Sequence, residues 1–309
     1  MSFRKRTVTV VAIAVAISLL GLSPAEAAPI TVKILGGPTD QFNPGANASW
    51  IGWSENSIDN PKHYDAFVSP LPIGSGATTK LNSSRQGIFG GITPDTNEAI
   101  FQQFNNKGSD LYVFNLTTML QEPDPVGLNT SGWEAFPAIS ASSILFLRQG
   151  RRAESLRLYD RTSHSTIKLD DVDFATGSIE VGNVTEKYAT WTKCVVICNV
   201  YFYDIAALRT HKVPNPNRQF FYAGSTTDAT GEMYFVRSGS ACGVKVKIRR
   251  WTIGSGATQP VTVASMPDGY DVLRTFTFND GTNDNVYFDR LRCGGSYYSN
   301  IYEVEYADT

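Results

Sequence analysis

Six short strand-like runs, each closed by a large aromatic, recur along the chain at nearly even spacing. They read WIGW, EAIF, SILF, YATW, MYF and NVYF, and their closing residues are Trp53, Phe101, Phe146, Trp191, Phe235 and Phe288. The separations are 48, 45, 45, 44 and 53 residues. Turn-forming clusters lie ahead of these runs, such as TPDTN at Thr93–Asn97, TTDATG at Thr226–Gly231 and NDGTND at Asn279–Asp284. Asp, Asn, Gly and Pro supply the backbone dihedrals a tight turn needs.

A second strand-like run follows each first one, for example DLYVFNL, NVYFYDI and NIYEVEY. Most units then add a shorter strand, read at TTKLN, PVGLN, TIKLD, HKVPN and PVTVA. Ahead of each unit lies a small-residue segment such as FGGIT, FPAIS or YAGST. Four short strands repeated six times over units of about 47 residues predict an all-β, six-bladed β-propeller. A β-sandwich has similar strands but no reason for the period. Small residues suit the innermost strand, where blades crowd around the axis, and the aromatic columns suit the middle strands, which pack blade on blade.

The two ends complete the pattern. The last unit stops at NIYEVEYADT after its third strand, and ITVKIL at Ile30–Leu35 resembles an outer strand. The N-terminal strand is therefore expected to close the last blade and to remove its exposed sheet edge. The hexapeptide IGSGAT occurs twice, at Ile73–Thr78 and Ile253–Thr258. A phosphate-binding loop leads from a strand into a helix. Both copies instead leave a third strand and enter an outer one, four units apart, and so read as hairpin turns.

The segments GITPDTNEAIF, SDLYVFNL and CNVYFYDI resemble the TolB-like and WD40-like six-bladed propellers, whose blades carry a Pro-Asp type of turn between the first two strands. The resemblance runs through the whole chain after the leader, although only the second blade keeps the Pro-Asp turn intact. No counterpart of TolB's N-terminal α/β domain, nor of the hydrolase domain of propeller-bearing peptidases, is expected.

Residues 1–27 read as a secretory signal peptide: Arg4, Lys5 and Arg6, an apolar run from Val8 to Leu22, then Ala25-Glu26-Ala27. The run is about 15 residues, short of the roughly 20 that span a bilayer, which disfavours an uncleaved anchor. A single propeller domain over residues 28–309 is expected, secreted and not inserted in a membrane. Without the leader, the 27 basic and 29 acidic residues become 24 and 28. Nucleic acid is an unsuitable partner for that balance. The basic residues Lys245, Lys247, Arg249 and Arg250 lie at strand spacing, between Val244, Val246 and Ile248.

Four cysteines in an exported chain suggest two disulfides. On the propeller map all four fall in second-to-third strand turns. Cys194 and Cys198 bracket one hairpin, while Cys242 and Cys293 hold corresponding places on neighbouring blades. The expected pairs are Cys194–Cys198 and Cys242–Cys293. Metal binding at Cys194 and Cys198 would lack a second thiolate pair.

No catalytic or metal-binding residues and no cofactor are predicted. His63, His164 and His211 fall on separate blades, and no G-x-S-x-G elbow occurs. Asn279–Asn285 (NDGTNDN) has oxygen ligands at alternate positions but lacks the order and closing Glu of a calcium loop. The acidic loop Asp170–Phe174 reads as a solvated connection. The blade-connecting loops carry aromatics, of which most are expected to pack between blades. Arg85, Trp133, Arg218 and Tyr270 are the candidates for an exposed ligand site at the channel mouth. The expected function is a monomeric, non-enzymatic propeller that binds or scaffolds an extracellular protein, peptide or glycan. The alternative is an extracellular polysaccharide lyase or glycosidase, which requires a carboxylate pair, or a histidine with a metal, at that mouth.

Overall fold

The computed structural model describes residues 31–307 except 37, 57–59, 61, 84, 217–220, 240–241 and 295–298. The expected signal peptide at residues 1–27 lies outside the described residues. The secondary structure of the described residues is strand and turn, with no helix long and apolar enough to cross a membrane.

Each blade is an antiparallel meander of four strands, inner to outer. Blade one comprises Gln41–Ala46, Trp50–Asn56, Tyr64–Pro70 and Thr79–Lys80. Blade two follows with Gly87–Ile92, Glu98–Phe104, Ser109–Asn115 and Leu120–Gln121, and blade three with Trp133–Ile139, Ser143–Gln149, Ala153–Asp160 and Ser165–Asp173. Blade four has Ser178–Val184, Tyr188–Cys194, Cys198–Asp204 and Arg209–Lys212; blade five has Phe221–Thr227, Glu232–Ser238, Lys247–Thr252 and Val261–Ser265. Blade six takes Tyr270–Asn279, Asn283–Arg292 and Ser299–Ala307 from the C-terminal end. Its outer strand is Thr31–Leu35, paired antiparallel with Ser299–Ala307 as expected. Blades two and three are continuous through one parallel pairing, Trp133 with Ser109.

The core has the same sixfold plan. Six apolar clusters form, and each one bridges two neighbouring blades, including blades six and one. All six period-marking aromatics are buried in these seams. Four of them stand opposite another aromatic on the third strand: Trp53 on Phe67, Phe101 on Tyr112, Trp191 on Tyr201 and Phe288 on Tyr302. Their rings stack at 5.7–5.8 Å. Such cross-strand pairs each contribute about 0.2–1 kcal/mol. In blades three and five the opposite residue is Arg157 or Arg249 instead.

Every inner strand carries a register shift against its second strand, at Phe42/Gly45, Phe89/Gly91, Ala135/Ala138, Val181/Val184, Ala223/Thr226 and Val272/Thr275. A bulge bends the strand and strengthens its twist, which suits the tight packing at the axis. A Cβ on Gly182 would lie 2.3 Å from the Ser225 carbonyl oxygen of the next blade. The small-residue signature of the inner strands thus has a steric cause.

Both IGSGAT copies are third-to-outer hairpin turns. Gly74 has φ 89°, Gly254 φ 82° and Gly256 φ 69°, with open space where a Cβ would stand. Glycine is needed there for its dihedral rather than for room.

One strand differs from the sequence reading. The outer strand of blade two is Leu120–Gln121, not PVGLN at Pro125–Asn129. Pro123 and Pro125 lack the N–H that a ladder requires. The Asn129 side chain takes over the edge instead: it accepts from Leu111 N at 2.9 Å and donates to Leu111 O at 2.9 Å.

Candidate functional site

The meander gives the ring two faces. The connection face holds the blade-to-blade loops and the second-to-third turns. The turn face holds the first-to-second and third-to-outer turns.

Arg85 and Trp133 lie on the connection face, near the border of blades two and three. Arg85 is exposed and lines a groove of about 380 Å³ with Asn105, Asn106, Lys107, Asp110, Thr130, Ser131 and Gly132. Trp133 directly follows this wall; it is 42% exposed and meets Phe104 edge-on at 6.2 Å. Tyr270 stands on blade six, half-buried, with the Arg290 guanidinium 4.9 Å from its ring centre. It does not border the Arg85 groove. Arg218 lies outside the described residues. Among the other loop aromatics, Phe89 is buried between blades one and two.

The channel is crossed near the axis. Arg274 of blade six reaches Glu180 of blade four, Nε to Oε1 at 3.4 Å, and lies 5.2 Å from the Phe136 ring centre of blade three. Gly224 N of blade five donates to Glu180 Oε2 at 3.2 Å. Burial raises the Glu180 carboxyl pKa, against the opposing Arg274 charge and Gly224 N–H.

A second groove, of about 600 Å³, flanks the Cys194–Cys198 hairpin on blade four. Val195, Val196, Ile197, Asn199, Lys212, Val213, Pro214 and Asn215 line it. The two predicted disulfides are both present, Cys194–Cys198 and Cys242–Cys293. The first holds Val195 and Val196 on the tip of its loop, 52% and 88% exposed. Sequence reasoning passed over this pair. The available signal was an apolar run inside a cysteine-bracketed turn, where polar residues are the rule.

The turn face has a cavity of about 100 Å³, lined from five blades by residues that include Ile92, Ile139, Asn183, Thr227, Asp228, Phe276 and Asn279. That volume corresponds to about three waters and falls below the roughly 300–1,000 Å³ of small-molecule sites. Beside it, Tyr234 Oη donates to Asp284 Oδ2 at 2.5 Å, and Asn279 Nδ2 donates to Asp284 Oδ1 at 2.8 Å. Burial, with the neighbouring Asp228 carboxylate adding to it, raises the Asp284 pKa to about 6.

In the Asn279–Asn285 turn, Asp280 Oδ1 accepts from Thr282 N and Asn283 N at 2.8 Å, and Asn279 Oδ1 accepts from Gly281 N at 2.7 Å. These oxygens serve the turn's own amides. The three histidines lie on blades one, three and four: His63 beside Asp65 (3.2 Å), His164 on Tyr159 (2.8 Å) and His211 stacked on Phe202 (4.9 Å). Cys242, Asp271 and Cys293 form the one metal-compatible grouping among the described residues. Its sulfurs are bonded to each other and offer no thiolate.

No family model matches the chain, and no curated protein matches it by sequence. Its fold, however, is shared with solved β-propellers. TolB from Acinetobacter baumannii superposes with a TM-score of 0.53 at 16% identity, over 84% of this chain and 64% of that one. The chain thus spans under two thirds of that protein's length. The putative TolB from Agrobacterium tumefaciens gives a TM-score of 0.58 at 9% identity, over 90% and 97%. An oligogalacturonate lyase from Vibrio parahaemolyticus gives 0.54 at 9%, over 87% and 80%. The chain is a β-propeller, and its architecture is TolB-like.

Proposed function

We propose that this chain is a secreted, non-enzymatic binding propeller that engages an extracellular protein, peptide or glycan through its connection face. The observation that carries this reading is the pair of grooves on that face, each edged by exposed apolar side chains. Val195 and Val196, both exposed, line the groove of about 600 Å³, and the exposed Trp133 adjoins the groove of about 380 Å³. Exposed aliphatic and aromatic side chains rimmed by polar groups mark interaction sites. The axial cavity, by contrast, has the volume of a few waters. Beside it, Asp228 accepts hydrogen bonds from Thr230 and Gly231, and Asp284 accepts one from Tyr234.

The disulfides support an extracytoplasmic location, as does the leader read at residues 1–27. Glycan and peptide arrays probed with the full chain and with Trp133→Ala test the face. Retention that falls in the variant supports the reading, and retention unchanged in it removes the Trp133 groove from the site.

A further inference from the structure

We infer that the blade-three and blade-four rim of the connection face is a docking site for an acidic, apolar-anchored segment of a partner protein. The inference rests on the binding reading above and specifies the partner's chemistry. The site is continuous through contacts in the structure. Phe174, 45% exposed, donates its N–H to the Arg152 carbonyl at 2.9 Å, which sets this residue next to the exposed Arg151 and Arg152 in the fold. Asp170, four residues before Phe174, holds Lys193 at 2.6 Å on the strand that leads into Val195. A second, smaller groove of about 180 Å³ runs between Asp170, Val195, Ile197 and Tyr201. Val195–Ile197 is therefore a ridge with a groove on either side, and the larger groove ends at the exposed Lys212.

The charges on this rim do not cancel. Asp170 is paired with Lys193, and Asp171 with Lys168 at 3.4 Å. Arg151, Arg152 and Lys212 make no ion pair among the described residues, which leaves three free cations against Asp173. A complementary partner is acidic. It also brings apolar side chains, because Val195, Val196 and Phe174 are otherwise left in water. The relief selects a polypeptide over a lipid surface: a flat bilayer fills neither groove, whereas an extended segment places alternate side chains on both sides of a ridge. The Cys194–Cys198 bond fixes the ridge beforehand and so lowers the ordering cost of binding.

The test uses the full chain and a short acetylated peptide alternating glutamate and valine, with fluorescence anisotropy as the readout. Its comparison probes are the lysine–valine analogue and phosphatidylglycerol vesicles. The expected result is binding of the glutamate peptide that weakens with salt. The affinity falls roughly tenfold in Arg151→Glu/Arg152→Glu and in Val196→Ser, with thermal unfolding unchanged in both. Equal binding of the lysine peptide, preference for vesicles, or no binding of the glutamate peptide overturns the inference. Binding that instead disappears in Arg85→Glu/Lys107→Glu also overturns it, while leaving the broader connection-face reading intact. That reading fails separately, if retention of extracellular ligands is unaffected by every connection-face variant.

Discussion

Tyr234 of blade five donates a 2.5 Å hydrogen bond to Asp284 of blade six, and Asn279 donates to the other Asp284 oxygen at 2.8 Å. This is one of a series of polar latches that join blades on the turn face. Asn47 Nδ2 reaches Thr93 O at 3.0 Å between blades one and two, and Arg161 pairs with Glu98 at 2.6 Å between blades three and two. Ser142 N donates to Glu186 at 3.1 Å between blades three and four, and Asn183 Nδ2 donates to Thr227 O at 2.6 Å between blades four and five. Blades six and one are joined at the opposite face, where Ser299 N donates to Asp40 at 2.8 Å.

The Asp284 latch makes stability depend on pH. Burial lifts its carboxyl from 3.8 to about 6, with Asp228 adding to the rise, and burial does the same for Asp289 on the same strand. A pKa raised by folding favours the protonated folded state. This contribution is complete below the unfolded value of 3.8 and is lost as pH rises through about 6. Asp65 and Glu98 act in the opposite sense: Lys80 and Arg161 hold them below their ordinary values, despite burial. Their stabilisation is lost as pH falls through those lowered values. Thermal unfolding is expected to show a maximum between about pH 4 and 6, with the midpoint falling by a few degrees toward pH 8. Asp284→Asn flattens that alkaline fall. A midpoint that rises steadily from pH 5 to 8 contradicts the assignment.

The Arg161–Glu98 latch is predicted to be costly to break from one side. Glu98 is 8% exposed and accepts two Arg161 bonds, at 2.6 and 2.9 Å. Arg161→Ala leaves that carboxylate without its counter-ion and is expected to cost about 3 kcal/mol. Urea unfolding measures it, and Glu98→Gln combined with Arg161→Ala recovers part of the loss.

Trp191 fills the seam between blades three and four, is 0% exposed and donates Nε1–H to Asp170 at 3.1 Å. Trp191→Ala is expected to lose about 3–5 kcal/mol by denaturant unfolding. A loss under 1 kcal/mol would mean that this seam repacks freely.

The two disulfides differ in what they constrain. Cys242–Cys293 spans 51 residues and ties blade five to blade six, whereas Cys194–Cys198 spans 4 within one hairpin. The chain-entropy model gives about 4 kcal/mol for the first and about 2 kcal/mol for the second. Replacing each pair with serine should therefore lower the unfolding midpoint more for the long bridge.

Much of this fold was legible in the sequence because blade packing needs a large side chain at one fixed point per repeat. Trp53, Phe101, Phe146, Trp191, Phe235 and Phe288 mark those points, and closure by the N-terminal strand follows from the incomplete last unit. The outer strand of blade two was misread because PVGLN resembles its counterparts, and only the absence of N–H groups at Pro123 and Pro125 separates it from them. The candidate site was less legible. Arg85 and Trp133 lie near one groove, whereas Tyr270 stands apart on blade six, engaged by Arg290 of the same blade. The Val195–Val196 ridge depends on exposure, which a cysteine-bracketed apolar run does not declare.

The connection face is the proposed binding surface. Amide hydrogen exchange on the full chain, alone and saturated with a ligand retained from extracellular material, addresses it most directly. Slowed exchange is expected at residues 105–108, 130–133 and 195–197, with the turn-face segments 94–97, 229–231 and 280–282 unchanged. Protection confined to those turn-face segments would contradict it.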